Sequence, residues 1–406
     1  MRRRPGAAAL SAVRAAPPIG LGIAGLGLAG AMMIRAARLD PHVAMVAGMD
    51  PQPRPRETFE RDFGARTYDD FAALCRDDAV EAIYIASPHE HHPQQAISAL
   101  EHGKHVLVEK PLALTLADCD RVIDAANRAG RHLIVGHTHG FDPNVREIGR
   151  LVASGEMGRL ATILNFNYTD FLYRPRRPEE LDTARGGGIT FNQVMHQIEI
   201  ARTIGGAVRS VRANTGIMDA NRPTEGNCTA FLEFEAGGAA TLIYSAYDFF
   251  DSDEFHYRIA EGGNPKPERR HGDTRRLYLD PTSAEAERQR DLGYGGRGLP
   301  SEQPHLPHFG VLLVTCEHGD IRLSPDGLLI YGTEGVREIP VARDAGWAGH
   351  GDALNALRKA IRKDEPDIHD ARWGKASVEI VLAILASARN RREILLEHQS
   401  ATGRTP

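Results

Sequence analysis

The sequence predicts an α/β domain built on a parallel sheet, followed by an α+β domain built on mostly antiparallel strands. Between residues 19 and 136, short runs that are apolar throughout alternate with helical segments, the pattern of strands covered on both faces. After residue 136 the runs lengthen and alternate apolar with polar residues, and the turn signals "AGG", "HGD" and "PDG" join them, as antiparallel strands require. At 406 residues, 42% apolar and 25% charged, the chain is long enough for a core in each domain.

In chain order, "IGLGIAGLG" reads as the first strand and its turn, "MMIRAARL" as a helix, "HVAMVAGMD" as the second strand and residues 54–63 as a charged helix. "EAIYIAS" is then the third strand, "PQQAISALEHG" a helix, "HVLVE" the fourth strand, "LADCDRVIDAANRAG" a helix and "HLIVG" the fifth strand. In the second domain a helix over about 142–154 leads into "RLATILNFNYTDF", "NCTAFLEFEAGGAATLIYSAY", "GVLLVTCE" and "GDIRLSPDGLLIYG". Two helices, near 350–362 and 372–397, close the chain. Residues from about 262 to 307 are rich in Arg, Gly and Pro and poor in apolar side chains, which predicts a surface insertion with solvated arginines. The domains are thus expected at 19–137 and 138–398, between a disordered leader (1–18) and a short tail (399–406).

A net charge of -5 gives no general drive toward nucleic acid or an anionic membrane, and no apolar run has the length of a membrane span. Cys75, Cys119, Cys228 and Cys316 are far apart, so neither a zinc knuckle nor a disulfide framework is expected. The apolar run of the leader is short and broken by Arg14, which favours a cytoplasmic protein over an exported one.

"GLGLAG" follows the first strand and opens a helix, the context in which G-x-G-x-x-G binds a dinucleotide. Gly25 would make the tight turn, Gly27 would let a pyrophosphate approach, and Gly30 would allow close helix packing. Asp50 ends the second strand, where a carboxylate takes ribose hydroxyls and repels a 2′-phosphate, so NAD is expected over NADP, with Arg54 and Arg56 the features that keep NADP open. Lys110, in "EKP" at the carboxyl end of a strand, would point into the ligand crevice, where burial lowers its pKa. In "GGGITFNQVMHQIE" the spacing sets Asn192, His196 and Glu199 on one helical face, either a solvated stripe or a face toward substrate.

Taken with "SPHEHH", these motifs resemble the Gfo/Idh/MocA family of NAD(P)-dependent dehydrogenases, from residue 19 to the final helices. The resemblance implies a Rossmann domain, then an α+β domain whose large open-faced, mostly antiparallel sheet binds substrate and forms a homodimer or homotetramer. It places the cofactor on Gly25, Leu26, Gly27, Gly30 and Asp50, with Ser87, Pro88, His91, Glu109 and Lys110 on the nicotinamide side. It makes Lys110 and His196 the catalytic pair, joined by Asn192, where the family usually has an aspartate; an amide cannot take up a proton at neutral pH.

"GHTHGFDPNVREI", "NYTDFLYRPRRPEELDTARGGG" and "HQIEIARTIGG" further resemble the dihydrodiol dehydrogenase branch of that family. This implies a small carboxylated substrate, a cis-dihydrodiol such as 4,5-dihydro-4,5-dihydroxyphthalate, oxidised to the catechol. Arg174, Arg176 and Arg185, with Arg177, would then clamp carboxylates, the alternative being a basic loop paired with Glu179, Glu180 and Asp182. His137, His139 and Tyr168 are further candidates for substrate contact, and the three histidines of "SPHEHH" are not expected to bind metal. An inositol, sugar or polyol dehydrogenase is the alternative activity, and a catalytically silent dinucleotide-binding regulator the alternative of another class.

Overall fold

A computed structural model describes residues 17–136, 138–174, 176–268, 272–279, 293–296, 302–343, 346–363, 365 and 367–399. Residues 1–16 of the expected leader, residues 400–406 of the expected tail and His137 lie outside these residues, as does much of the insertion. The first domain runs β1 (Ile19–Ala24), α1 (Leu28–Leu39), β2 (Val43–Met49), α2 (Pro53–Phe63), β3 (Arg66–Tyr68), α3 (Phe71–Cys75), β4 (Ala82–Ile85), α4 (His92–Glu101), β5 (His105–Val108), α5 (Leu116–Ala129) and β6 (Leu133–Val135). Its sheet is ordered β3-β2-β1-β4-β5-β6, every pair parallel. The order reverses between β1 and β4, and the carboxyl ends of these strands open on the crevice where such sheets hold ligands.

The strand β3 and the one-turn helix α3 were not expected. β3 is three residues at a sheet edge and has no apolar run to betray it. "EAIYI" and "HVLV" are therefore the fourth and fifth strands, and the strand before His139 is the sixth. The longer helices begin and end where local chemistry dictates. Thr115 caps α5 by accepting from the Asp118 amide, and Gly130 closes it at φ 59°.

The second domain comprises α6 (Pro143–Ala153), β7 (Leu160–Tyr168), a π-helical turn (Thr190–Val194) running into α7 (Met195–Gly205), β8 (Val208–Gly216), β9 (Asn227–Phe234) and β10 (Ala239–Ser245). It continues with α8 (Asp273–Leu279), β11 (Val311–Cys316), β12 (Gly319–Ser324), β13 (Gly327–Gly332), β14 (Gly335–Pro340), α9 (His350–Lys363), α10 (Ala371–Asn390) and β15 (Ile394–Leu395). The sheet is ordered β14-β13-β12-β11-β7-β10-β9-β8-β15, antiparallel except at the β7–β10 pair. Along β7, Ile163, Asn165 and Asn167 are buried while Leu164, Phe166 and Tyr168 are only half-buried, so the sheet has one covered and one open face. α7 and α10 cover the first, with the α7 residue Gln197 donating to the carbonyls of Asn165 and Ile243.

Three expectations need correction. α10 ends at Asn390, where Arg391 turns to φ 54°, and residues 394–395 pair with β8 instead of continuing the helix to 397. α9 packs on the first domain: Leu354 and Leu357 share a core with Ile19, Leu21 and Ile34. The insertion is also more than a solvated excursion. Its Tyr294 stacks on Phe63 and donates its amide to the Leu26 carbonyl at 2.9 Å, while the Arg275 guanidinium lies 3.6 Å over the Phe249 ring. Among the described residues no helix is long and apolar enough to cross a membrane.

Candidate active site

A cleft of about 620 Å³ opens between the glycine turn, the loops after β4 and β5, and the segment leading into α7. Each glycine of this turn, of which Gly27 lines the cleft, has its own steric reason. A Cβ on Gly25, which sits at φ 97°, would meet the Ala86 carbonyl at 2.6 Å, and one on Gly30 would meet the Gly25 carbonyl at 2.0 Å. Gly27 has nothing within 4 Å of that position. It caps α1 without any side-chain acceptor, and the first turn holds no acid, so the helix amides are left to an anion. Asp50 accepts from the Leu26 amide on Oδ2 and the Gln52 amide on Oδ1, both at 2.9 Å, which holds the carboxylate beside this turn. These residues fit a dinucleotide diphosphate and ribose.

Lys110 follows β5 directly and enters the cleft with its Nζ 2.6 Å from the Asn192 carbonyl. Burial lowers its pKa below the ordinary lysine value; the charges of Glu109 and Glu261 oppose this, and Arg176 adds to it. Asn192 and His196 line the same cleft. The Asn192 amide donates to the carbonyls of Gly188 at 2.7 Å and Gly186 at 3.2 Å, so it braces the glycine loop. The His196 ring stands edge-on to His139 at 4.9 Å and tilted against Phe309 at 5.0 Å. His139 is held between Asp142 at 2.6 Å and Glu261 at 3.3 Å. Burial works against its charge, yet the two carboxylates push its pKa up to about 10.

Glu199 does not join this group. It is buried under α10, accepting from Trp373 Nε1 at 2.6 Å and from the Ser377 hydroxyl, with Arg202 alongside at 4.0 Å. The face of α7 is therefore divided: Asn192 and His196 look into the cleft, and Glu199, within the regular helix Met195–Gly205, is held by Trp373 and Ser377 of α10. Tyr168 also lies elsewhere, on the open sheet face with Phe166 and Phe250. His91 is half-exposed beside Glu90, whereas its neighbours His89 and His92 line the cleft. His89 faces the Gly186 carbonyl at 3.0 Å, His92 bridges the Ser87 and Pro111 carbonyls, and burial lowers the pKa of both rings. Ser87, Pro88 and Glu109 line the cleft too.

The arginines separate by partner. Arg185 is paired with Glu90 through three contacts of 2.9 to 3.1 Å. Arg176 lies 3.7 Å over the Phe171 ring and donates to the Phe171 carbonyl and to Glu180. Arg177 is paired with Glu179 and Glu180 at the rim. Arg174 lines the cleft and gives its Nε to Asp170 at 2.8 Å.

The family model for oxidoreductases with an NAD-binding Rossmann fold matches residues 19–137, and that for the GFO/IDH/MocA C-terminal domain matches residues 145–260. The 1-carboxy-3-chloro-3,4-dihydroxycyclohexa-1,5-diene dehydrogenase of Comamonas testosteroni is 38% identical over 383 residues, 91% of this chain and 94% of that one. The chain belongs to the Gfo/Idh/MocA family. As a Gfo/Idh/MocA protein it is an NAD(P)-dependent oxidoreductase acting on hydroxyl groups. Inositol 2-dehydrogenase 2 of Saccharopolyspora erythraea is 36% identical, but over 45% of this chain and 52% of its own. The crystal structure of a dehydrogenase from Bordetella bronchiseptica RB50 superposes with a TM-score of 0.90 at 46% identity, covering 93% of this chain and all of that one.

Two features of this Gfo/Idh/MocA site escape the sequence. Glu261 and Pro307 stand at the ends of the insertion and line the cleft, and Trp347 and Ala348 reach it from the loop before α9. None carries a motif or a periodic pattern; the single sign was an acid beside the two glycines of "AEGG".

Proposed function

We propose that the protein oxidises a carboxylated cyclic cis-diol of the dihydrodiol type, with NAD preferred to NADP. The observation that carries this is Arg174, which lines the same cleft as Lys110 and His196 and whose guanidinium can take a carboxylate by two parallel bonds. The printed name of the Comamonas testosteroni relative, a dehydrogenase of a carboxylated dihydroxycyclohexadiene, supports the same substrate class. In this reading Lys110 removes the hydroxyl proton, aided by the burial that lowers its pKa, and His196 orients the hydroxyl. A bound dinucleotide supplies the hydride acceptor. Asp50 favours the unphosphorylated ribose, and Arg56 is engaged with the Asp50 and Pro51 carbonyls.

The partial match to an inositol dehydrogenase favours a second reading, turnover of an uncharged polyol. The test is reduction of NAD and of NADP with phthalate cis-4,5-dihydrodiol, the 1-carboxy-3-chloro diol or myo-inositol. Carboxylated diols should be turned over, with NAD. Arg174→Ala should raise their KM by about 10- to 100-fold, as expected for losing hydrogen bonds to a charged group. An equal loss with an uncharged diol would remove the carboxylate clamp, and turnover of myo-inositol alone would establish the second reading.

A further inference from the structure

Position 192 offers the cleft no carboxylate, but Glu261, from a segment far away in the chain, does. Glu261 lies at the start of the insertion and lines the cleft together with Lys110, Asn192 and His196. It is fixed by geometry: its Oε1 is 3.3 Å from His139 Nε2, His139 Nδ1 is 2.6 Å from Asp142, and the His139 ring abuts His196. The Asn192 amide is turned to the glycine-loop carbonyls and has no proton to exchange.

We propose that Glu261 is the proton acceptor of this site, taking from the Lys110 ammonium the proton that the lysine has removed from the substrate hydroxyl. The balance is simple. The hydroxyl O–H bond breaks to Lys110 as the carbinol hydride leaves to the dinucleotide that the oxidoreductase activity already requires. The ammonium then passes one proton to the Glu261 carboxylate, and the carboxylic acid releases it to water, regenerating both groups.

The groups facing this pair suit the task. Burial alone would raise the Glu261 pKa, but His139, Arg174 and His308 hold it below its ordinary value, so it is ionised and ready at neutral pH. Lys110 in turn feels Glu109, Glu261 and Arg176. The positive charge that Asp142 and Glu261 hold on His139 favours loss of the Glu261 proton to water after each transfer. This inference rests on the dehydrogenase activity and not on the identity of the diol.

Glu261→Gln keeps the size of the side chain and an acceptor for His139. With an alcohol that the wild-type protein turns over, it should lower kcat by about 100-fold and leave KM within about threefold. The rise of kcat with pH should move to lower pH, because Lys110 loses a charge that raises its pKa, and Glu261→Asp should restore part of the rate. A kcat within about threefold of wild type, with an unchanged profile, would overturn the proposal. A second measurement needs no substrate: the Lys110 amine, reductively methylated with 13C-formaldehyde and assigned by its loss in Lys110→Arg, is titrated by NMR. Its midpoint should fall in Glu261→Gln, because the supporting charge is gone, and an unmoved midpoint would equally overturn the proposal. Should the wild-type protein turn over none of the alcohols, the reading of the substrate fails, while an unmoved midpoint in the titration would still overturn the role of Glu261.

Discussion

Lys110 and Asn192 meet through backbone, and that contact decides what each can do. The lysine amine bonds to the Asn192 carbonyl and is lowered by burial, so its neutral form is reached at a lower pH than for a free lysine. Alcohol oxidation should therefore rise with pH through that titration and level off. Lys110→Ala should lower kcat by at least about 100-fold and abolish the rise, as steady-state profiles would show. Restoring the aspartate usual in the family has the opposite effect from the one its chemistry suggests. In Asn192→Asp the two carbonyls of Gly186 and Gly188 lose their donor and face a carboxylate. The variant should lose about 1–3 kcal/mol of stability and fall in kcat, measured by thermal unfolding and NADH formation. A faster enzyme would show that the amide does not brace the loop.

At the scale of elements, α7 shows how far the sequence could be read. The glycine turn, Asp50, Lys110 and His196 were legible because each is fixed by a local motif at a strand end or helix start, and the structure gathers Gly27, Lys110 and His196 in one cleft. Helical spacing also placed Glu199 toward substrate, but tertiary partners on α10 claim the carboxylate. Glu261, Trp347 and the return of α9 to the first domain depend on contacts between segments far apart in the chain, which no local pattern encodes. The buried cluster makes its own prediction. The Arg202 guanidinium lies 3.6 Å over the Trp373 ring, and removing Glu199 leaves its charge without that carboxylate. Glu199→Ala should cost about 3–5 kcal/mol in urea unfolding. Because Glu199 does not line the cleft, the KM values of protein that remains folded should stay near wild type.

For the whole molecule, the two faces of the nine-stranded sheet pose unequal problems. α7 and α10 cover one. The other carries Phe166, Tyr168, Phe250 and Phe255 in mutual contact, with Phe231 at 48% and Phe255 at 57% exposed. An apolar sheet face of this kind marks an interaction surface, and the economical partner is a second copy related by a two-fold axis. A stable pairing buries about 1,600 Å² in total, which a sheet of this width can supply. The protein should therefore sediment as a homodimer or homotetramer, and Phe231→Glu combined with Phe255→Glu should yield monomers. Lys110 and His196 lie in the cleft rather than on this face, so dinucleotide affinity should survive the change. Monomeric wild-type protein would exclude the open face as an assembly surface. Monomers that have also lost dinucleotide affinity would instead show that assembly shapes the cleft.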